Sequence, residues 1–194
     1  MEPFSLTWAA QSMGGQIFGP TEGEITGVCT DSRQAQPGAL FFALKGENSD
    51  GHAYVAQALQ AGATAAVVER KIEGVEGAKG AQIVVPATLR ALGDLARRYR
   101  RQFAIPIVGV TGSVGKTSTK EMIAAVLRTT YNTLASEKNY NNEIGVPLTL
   151  FNLNKSHQAA VRALAFKWLR IIYRCWKDGK PYDEDMYIQS GEAH

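Results

Sequence analysis

The stretch that decides the fold is Ile107-Val108-Gly109-Val110-Thr111-Gly112-Ser113-Val114-Gly115-Lys116-Thr117. Its apolar first part predicts a strand over residues 105–111, which enters a turn rich in glycine. The residues that follow predict a helix over 116–129, and the apolar side of this helix would carry Met122, Ile123, Val126 and Leu127. A strand, a loop and a helix in this order are the elements of a phosphate-binding loop in an α/β domain.

The chemistry of this loop suits a nucleoside triphosphate. Glycines at positions 112 and 115 remove side chains where backbone amides must face phosphate oxygens, and the positive end of the following helix adds to the attraction. Lys116 brings a full charge to the terminal phosphates, which makes it the candidate catalytic residue, and the hydroxyl of Thr117 is the candidate Mg²⁺ ligand. The candidate nucleotide-binding residues are Gly112, Ser113, Val114, Gly115, Lys116, Thr117 and Ser118.

The loop motif by itself leaves the reaction open. The strict Walker spacing requires a glycine at position 110, where this chain has Val110, and Gly109 is one residue too early. A Gly-Lys-Thr triplet also arises by chance at an ordinary junction between a loop and a helix. Even taken in full, the loop indicates only nucleotide binding, because kinases, ATPases, GTPases and ligases all use it.

The composition is that of an ordinary globular protein. With 194 residues, 45% of them hydrophobic and 20% charged, the chain can form one large or two small domains. Its net charge of +3 gives no reason to expect a nucleic acid partner. Cys29 and Cys175 are far apart and fit reduced thiols, and the sequence shows neither a signal peptide nor a membrane span. We therefore expect a cytoplasmic protein without a membrane partner.

The remaining periodicity predicts an α/β fold with two units. A small N-terminal α/β domain over 1–86 would precede a bridging helix within 87–104 and a central domain over 105–161 that contains the phosphate loop. An opening helix is predicted over 7–19, and strands are predicted over 25–30, 39–44, 65–68, 82–85 and 131–135, with further helices over 53–61 and 142–150.

Two of the predicted helices have defined apolar faces. In the opening helix the residues that share a face are Trp8, Ala9, Met13 and Ile17. In the bridging helix they are Leu89, Leu92, Leu95, Ala96 and Tyr99. Both faces are expected to be buried.

Two linked motifs resemble the Mur ligase family. The first is Gly109-Val110-Thr111-Gly112-Ser113-Val114-Gly115-Lys116-Thr117-Ser118-Thr119-Lys120-Glu121-Met122, whose displaced glycine is usual in that family. The second is Asn139-Tyr140-Asn141-Asn142-Glu143-Ile144-Gly145-Val146-Pro147-Leu148-Thr149-Leu150. Closer to the N-terminus, residues 30–33, 37–46 and 50–52 resemble the family's domain for the UDP end of its substrate. The resemblance spans about residues 20–161.

This resemblance implies an ATP-dependent ligase of peptidoglycan synthesis. In that family ATP, with Mg²⁺, phosphorylates a substrate carboxylate to an acyl phosphate, and an incoming amine attacks it to form an amide. Cations must then neutralise the phosphates while binding holds the reactants in line. The asparagine-rich motif most resembles the member that adds D-alanyl-D-alanine to UDP-N-acetylmuramoyl-tripeptide, so these two compounds are the implied partners.

The resemblance also implies residues for binding. Asn142, and with it Asn139 and Asn141, would orient nucleotide or substrate with neutral amide groups, and loop capping is the alternative. Ser32 and Arg33 would lie near the uridine diphosphate, because arginine suits paired phosphate oxygens. His52 would contact the same ligand or would have only a structural role.

The resemblance ends after Val161. In the family, the strand at this point ends in a glutamate that helps to hold Mg²⁺, whereas here no carboxylate stands near position 163. Residues 162–194 instead predict a basic amphipathic tail, which resembles the C-terminal tail of some insertion-element transposases. That likeness implies a disrupted gene and a truncated central domain.

We therefore expect weak or absent ligase activity in this chain, which we take to be a monomer. A non-catalytic fragment that still binds a nucleotide or a UDP-sugar is the second hypothesis, and another P-loop phosphotransferase is the third. The tail would cover bare sheet, form an aggregation-prone patch or, least expected, bind nucleic acid.

Overall fold

A computed structural model describes residues 1–46, 49–75, 79–112, 114–136, 142–157 and 159–163, with the last range as backbone only. Helices are interspersed among strands that pair mainly in parallel, which confirms the predicted α/β class. The predicted tail beyond residue 163 lies outside the described residues. The elements are β1 (Phe4–Ser5), α1 (Leu6–Met13), β2 (Gln16–Phe18), β3 (Glu24–Ile25), β4 (Gly27–Cys29), β5 (Ala39–Phe42), α2 (Val55–Gln60), β6 (Ala65–Val68), β7 (Ala81–Val84), α3 (Thr88–Arg100), β8 (Ile107–Val110), α4 (Lys116–Arg128), β9 (Thr133–Ala135), α5 (Gly145–Phe151) and β10 (Ala159–Ala163), with 3-10 turns at Ser32–Gln34 and Gly51–Tyr54.

The larger sheet has five strands in the order β2-β7-β6-β5-β4. All neighbours are parallel except β2 and β7, which are antiparallel. Successive residues of a strand point to opposite faces, so Leu40 and Phe42 pack with α1 and α3, while Phe41 packs with α2 on the other side. Helices cover both faces, which explains why these strands are apolar throughout.

The smaller sheet carries the phosphate loop. Its three strands are parallel in the order β8-β10-β9, and Ala163 of β10 pairs with Val110 at the end of β8. Helix α4 packs on this sheet through Ala124, which is fully buried against Val110. The predicted central domain ended at residue 161, whereas β10 continues to Ala163.

Helix α3 follows the larger sheet and precedes the smaller one along the chain, and it packs against α1 and α5. Its Tyr99 is fully buried, and the phenol oxygen accepts a hydrogen bond from the Glu2 amide at 2.7 Å. The same hydroxyl donates to the Leu153 carbonyl oxygen at 2.6 Å. Phe103 and Phe151 pack on the Tyr99 ring, with centroids 5.2 and 5.5 Å away. One side chain therefore connects the N-terminal segment to the chain after α5.

The opening helix is shorter than predicted, because α1 ends at Met13 and Ile17 lies on β2. Gly14 adopts the left-handed conformation, with φ of 63°, and caps the helix. At Gly15 a Cβ would stand 2.5 Å from Cγ2 of Ile83, so only glycine lets the chain turn this close to β7. The predicted helix over 7–19 was therefore wrong beyond Met13.

Three further expectations need correction. The predicted strand over 25–30 is divided at Thr26, since β3 pairs with β1 and β4 belongs to the larger sheet. Leu89 was expected in the buried face of α3 but is 39% exposed. Met122 and Val126 were expected on the apolar side of α4, yet they are 69% and 70% exposed. The side of α4 that faces the sheet instead includes Lys120 and Ala124, about half a turn away.

The other predicted strands and helices are present, with ends that shift by a few residues. Within the described part of the chain, no helix is both long and apolar enough to cross a membrane.

Candidate active site

The phosphate loop connects the end of β8 to the start of α4. Gly115 occupies the cap position of α4 with φ of 81°, a left-handed conformation that side-chain-bearing residues rarely adopt. A Cβ at this position would meet no atom within 4 Å, so the glycine is required by its backbone conformation and the space in front of it is open. Val114 beside it is 90% exposed. Ser113, predicted in the same loop, lies outside the described residues.

The N-terminus of α4 faces this open space. No side chain among the described residues caps it, and the Thr119 amide donates to the Gly115 carbonyl oxygen at 2.9 Å. The first amides of such a helix have no partner inside the helix, so they can face a bound anion. Lys116 is half-buried and its Nζ donates to the Gly112 carbonyl oxygen, while Thr117 and Ser118 are exposed. The loop thus brings the predicted nucleotide-binding residues together, apart from Ser113.

One atom in the loop is placed to donate a hydrogen bond to a ligand. The Thr111 Oγ1 is buried, and no partner for it exists among the described residues. Such orphaned polar atoms are rare in folded proteins. With the uncapped helix and Lys116, this hydroxyl fits a ligand rich in anionic oxygens such as a nucleotide phosphate.

The described residues offer Mg²⁺ few protein ligands. No group of three histidine, cysteine, aspartate or glutamate side chains able to hold a metal occurs within the described ranges. The exposed Thr117 hydroxyl would be the protein ligand, and phosphate and water oxygens would complete the shell, as is usual for this ion.

Asn142 has a capping position in the structure. Its Oδ1 accepts hydrogen bonds from the Gly145 amide at 2.7 Å and from the Ile144 amide at 3.3 Å, at the start of α5. This is the capping alternative, and contact with the nucleotide stays a prediction. Asn139 and Asn141 lie outside the described residues.

Ser32 and Arg33 lie just after β4, at the carboxyl end of the parallel strands of the larger sheet, where α/β proteins usually bind ligands. Ser32 is buried, and its hydroxyl donates to Gln57 Oε1 at 3.0 Å. Arg33 is exposed and paired with Asp31, with 2.7 Å between Nη2 and Oδ2. The hydrogen bond from the Arg33 side chain is the main reason that the pKa of Asp31 falls to about 2.

His52 is only 5% exposed, and both ring nitrogens have partners. Nδ1 lies 2.5 Å from Asp50 Oδ1, and Nε2 accepts from the Glu69 amide at 2.9 Å, which assigns the ring proton to Nδ1. The His52 amide also donates to Asp50, and this is the first cause that lowers the pKa of that carboxyl. The geometry therefore favours the structural alternative for His52 over a contact with the substrate.

Lys120 was not predicted as a site residue from the sequence. Its side chain is 2% exposed, its Nζ donates to the Ser136 carbonyl oxygen, and Glu121 Oε1 lies 2.9 Å away. The available signal was its spacing, since a residue four positions after Lys116 shares a helical face with it.

Cys29 has no sign of reactivity, because burial, assisted by Asp31, raises the pKa of its thiol to about 11.

Comparison with known proteins identifies two family patterns that match this chain. The sequence pattern described as "Mur ligase family, catalytic domain" matches residues 24–100, and the pattern described as "Mur ligase middle domain" matches residues 110–163. The chain belongs to the Mur ligase family. The two patterns together cover four of the five strands of the larger sheet and, in the phosphate-loop sheet of this Mur ligase chain, β9, β10 and Val110 at the end of β8.

Several relatives within the family are named for one type of enzyme. The "UDP-N-acetylmuramoyl-tripeptide–D-alanyl-D-alanine ligase" of Synechocystis sp. is 50% identical over 143 residues, which are 74% of this chain and 31% of that protein. The crystal structure of MurF from Acinetobacter baumannii has a TM-score of 0.78 and 42% identity, and the match covers 84% of this chain and 36% of that one.

A second solved structure holds a nucleotide. MurF ligase from Thermotoga maritima in complex with ADP has a TM-score of 0.64 and 33% identity, with 70% of this chain and 31% of that chain covered. Nucleotide binding is thus a property of a structural relative. The Mur ligase chain described here spans about a third of the length of the curated relatives it matches, with shares of 31%, 34% and 30% for three of them.

Proposed function

We propose that this chain supplies the UDP-substrate and ATP sites of a ligase that adds D-alanyl-D-alanine to UDP-N-acetylmuramoyl-tripeptide. The observation that carries the proposal is the start of α4, where left-handed Gly115 leaves the helix without a side-chain cap beside Lys116. Its support from outside the chain is the 50% identity to a relative named for this reaction.

The proposed reaction has two steps. ATP supplies the terminal phosphoryl group, which the substrate carboxylate accepts to give an acyl phosphate and ADP. The amine nitrogen of D-alanyl-D-alanine then attacks the acyl carbon, phosphate leaves with the bonding electrons, and an amide forms. The first step brings an anionic carboxylate to an anionic phosphate, and in the second a neutral amine loses a proton as the phosphate anion leaves, so both depend on positive groups that are already in place.

Several groups of this chain would perform that task. The amides at the start of α4 and the Lys116 ammonium would bind the phosphates, and Thr111 would donate its unpaired hydroxyl. Thr117 would hold Mg²⁺ against them. Lys116 now donates to Gly112, so a phosphate oxygen would replace or join that carbonyl as its acceptor.

The UDP end of the substrate would bind at the carboxyl end of β4. Arg33 is exposed and can reach a diphosphate, although Asp31 already neutralises much of its charge. Ser32 would contribute from its buried position beside Gln57. We assign His52 a structural role at this edge of the sheet. Its Nε2 accepts a hydrogen bond from the Glu69 amide, and the Glu69 carboxylate in turn accepts hydrogen bonds from Thr88 at the start of α3.

The proposal extends to the location of the protein in the cell and to its oligomeric state. ATP and the UDP-linked precursor place the reaction in the cytoplasm, and the chain would act as a monomer without membrane or nucleic acid partners. The origin of the tail in an interrupted gene stays a prediction.

One observation favours a second candidate, a fragment that binds nucleotide without catalysis. Ala163 pairs with Val110 beside the phosphate loop, and the described part of this neighbouring strand, residues 159–163, has no carboxylate of the kind that the family resemblance implies. An Mg²⁺ ion held by Thr117 would then have fewer protein ligands, and phosphoryl transfer would suffer more than nucleotide binding.

Phosphate release separates the candidates. The chain is incubated with ATP, Mg²⁺, UDP-N-acetylmuramoyl-tripeptide and D-alanyl-D-alanine, with Lys116→Met as the control variant. Release that requires both substrates and disappears in the variant supports the ligase. Nucleotide binding without such release supports the fragment, and turnover with another phosphate acceptor but not the muramoyl peptide would indicate a different phosphotransferase.

A further inference from the structure

The buried ammonium of Lys120 is the feature that the proposed function leaves unexplained. Among the residues that the structure describes, it is the only lysine, arginine, aspartate or glutamate in the buried set, and its side chain is 2% exposed. Its Nζ donates to the Ser136 carbonyl oxygen and lies 2.9 Å from Glu121 Oε1. Burying an ammonium is costly unless its partners replace the lost water. A neutral side chain of the same length would fill this position without that cost.

Lys120 and Lys116 lie on one face of α4, one turn apart. Lys116 reaches the Gly112 carbonyl in the phosphate loop after β8, whereas Lys120 reaches Ser136 directly after β9. Strands β8 and β9 do not pair with each other, because β10 lies between them. Lys120 therefore connects α4, the helix that begins at the phosphate loop, to the end of β9, which has no direct pairing with β8.

We propose that Lys120 is a positioning residue for the nucleotide site, an inference that rests on the proposed nucleotide binding. Ser136 is 3% exposed and directly follows Ala135, the last residue of β9. By holding Ser136 against α4, Lys120 fixes the helix relative to the end of β9. A nucleotide bound at the start of α4 then meets a helix whose position is already set.

The ammonium group itself, and not only the length of the side chain, performs this task. Methionine would fill nearly the same volume but would leave the buried Ser136 carbonyl without this donor. Arginine would retain a cation and several donors. Glu121 is the other partner, but its side chain is 48% exposed, so its loss removes a contact that water can partly replace.

Calorimetric titration of ADP tests the proposal with the variants Lys120→Met, Lys120→Arg and Glu121→Gln. Each is measured at a temperature where circular dichroism shows it folded. We expect Lys120→Met to weaken ADP binding about tenfold or more, Lys120→Arg to recover part of the loss, and Glu121→Gln to stay within about threefold of the wild type. A merely structural role would lower the melting temperature of Lys120→Met without changing the ADP affinity of the folded protein, and that result would overturn the proposal.

The wild-type protein provides a second measurement should Lys120→Met not fold. In protein labelled with ¹⁵N-lysine, the Lys120 ammonium resonance, assigned through Lys120→Arg, is expected to shift when ADP is added. An unchanged resonance at saturating ADP contradicts the proposal. A wild type that binds neither ADP nor ATP overturns the proposed function as well, whereas binding that Lys116→Met abolishes and Lys120→Met leaves intact overturns this inference alone.

Discussion

The Tyr99 hydroxyl donates a hydrogen bond to the Leu153 carbonyl oxygen at 2.6 Å, across 54 residues of sequence. Tyr99 lies on α3, which follows the sheet with the proposed UDP edge and precedes the sheet with the phosphate loop along the chain. A buried bond of this kind fixes α3 against the chain that follows α5. The two proposed sites therefore share one helix as their common support.

We predict that Tyr99→Phe lowers the free energy of unfolding by about 1–3 kcal/mol, because the buried Leu153 carbonyl and the Glu2 amide both lose a partner. Urea denaturation measures this loss. Tyr131→Phe is the matched control, since Tyr131 is 47% exposed, and it should be nearly neutral. Equal effects of the two substitutions would contradict the supporting role of Tyr99.

Substitution by alanine should change the stability of the protein in opposite directions at two glycines, Gly115 and Gly93. Gly115→Ala forces a side chain into φ of 81°, so we expect it to destabilise the protein by about 1–2 kcal/mol and to weaken nucleotide binding. Gly93→Ala lies inside α3, where a Cβ meets nothing within 4 Å, and should stabilise by about 0.5–1 kcal/mol. Thermal unfolding of both variants checks the pair, and destabilisation by Gly93→Ala would be the unexpected outcome.

The Asp31–Arg33 pair predicts a pH dependence with a defined sign. The pKa of Asp31 is lowered from 3.8 to about 2 in the folded protein, so its stabilisation is present above pH 3.8 and is lost as the pH falls through about 2. Arg33→Met should therefore destabilise the protein at neutral pH but not below pH 2.

Urea denaturation across this pH range gives the difference between wild type and Arg33→Met. Arg98→Met, which removes an exposed arginine from α3, serves as the charge control and should show no such pH dependence. An Asp31 that titrates near 3.8 in the wild type would show that the pair does not form in solution.

The orientation of α4 predicts which of its residues tolerate charge. Met122→Lys and Val126→Lys place the new ammonium in water, because these side chains are 69% and 70% exposed, and each should change stability by about 0.5 kcal/mol or less. Ala124→Lys puts the charge against Val110 in the core and should prevent folding or cost several kcal/mol. A large loss of stability in Met122→Lys would contradict this orientation and would support the apolar face that was expected from the sequence.

The sequence was informative wherever the decisive interactions are local. The run from Ile107 to Thr117 predicts its own strand, loop and helix, because glycine conformations and helix starts depend on near neighbours. The apolar periodicity of α3 was likewise sufficient for Leu92, Leu95 and Tyr99, all of which are buried.

Long-range contacts explain the errors. Ile17 joins β2 because it pairs with Ile83, which is distant in sequence, and no local pattern shows that partner. Met122 and Val126 have helical spacing but face water, since Ala124 is the residue small enough to approach the sheet. His52 and Lys120 needed their partners Glu69 and Ser136, and these become neighbours only in the folded chain.

Equilibrium binding of ADP by calorimetry, in wild type and in Lys116→Met, tests the central claim that the phosphate loop is a nucleotide site. The account predicts saturable one-to-one binding by the wild type and a loss of about tenfold or more in the variant, because the lysine charge and the helix N-terminus act on the same phosphates. Tyr131→Phe, remote from the loop and exposed, should bind as the wild type does. Absence of ADP binding by the folded wild type, or equal affinity in Lys116→Met, would contradict the claim.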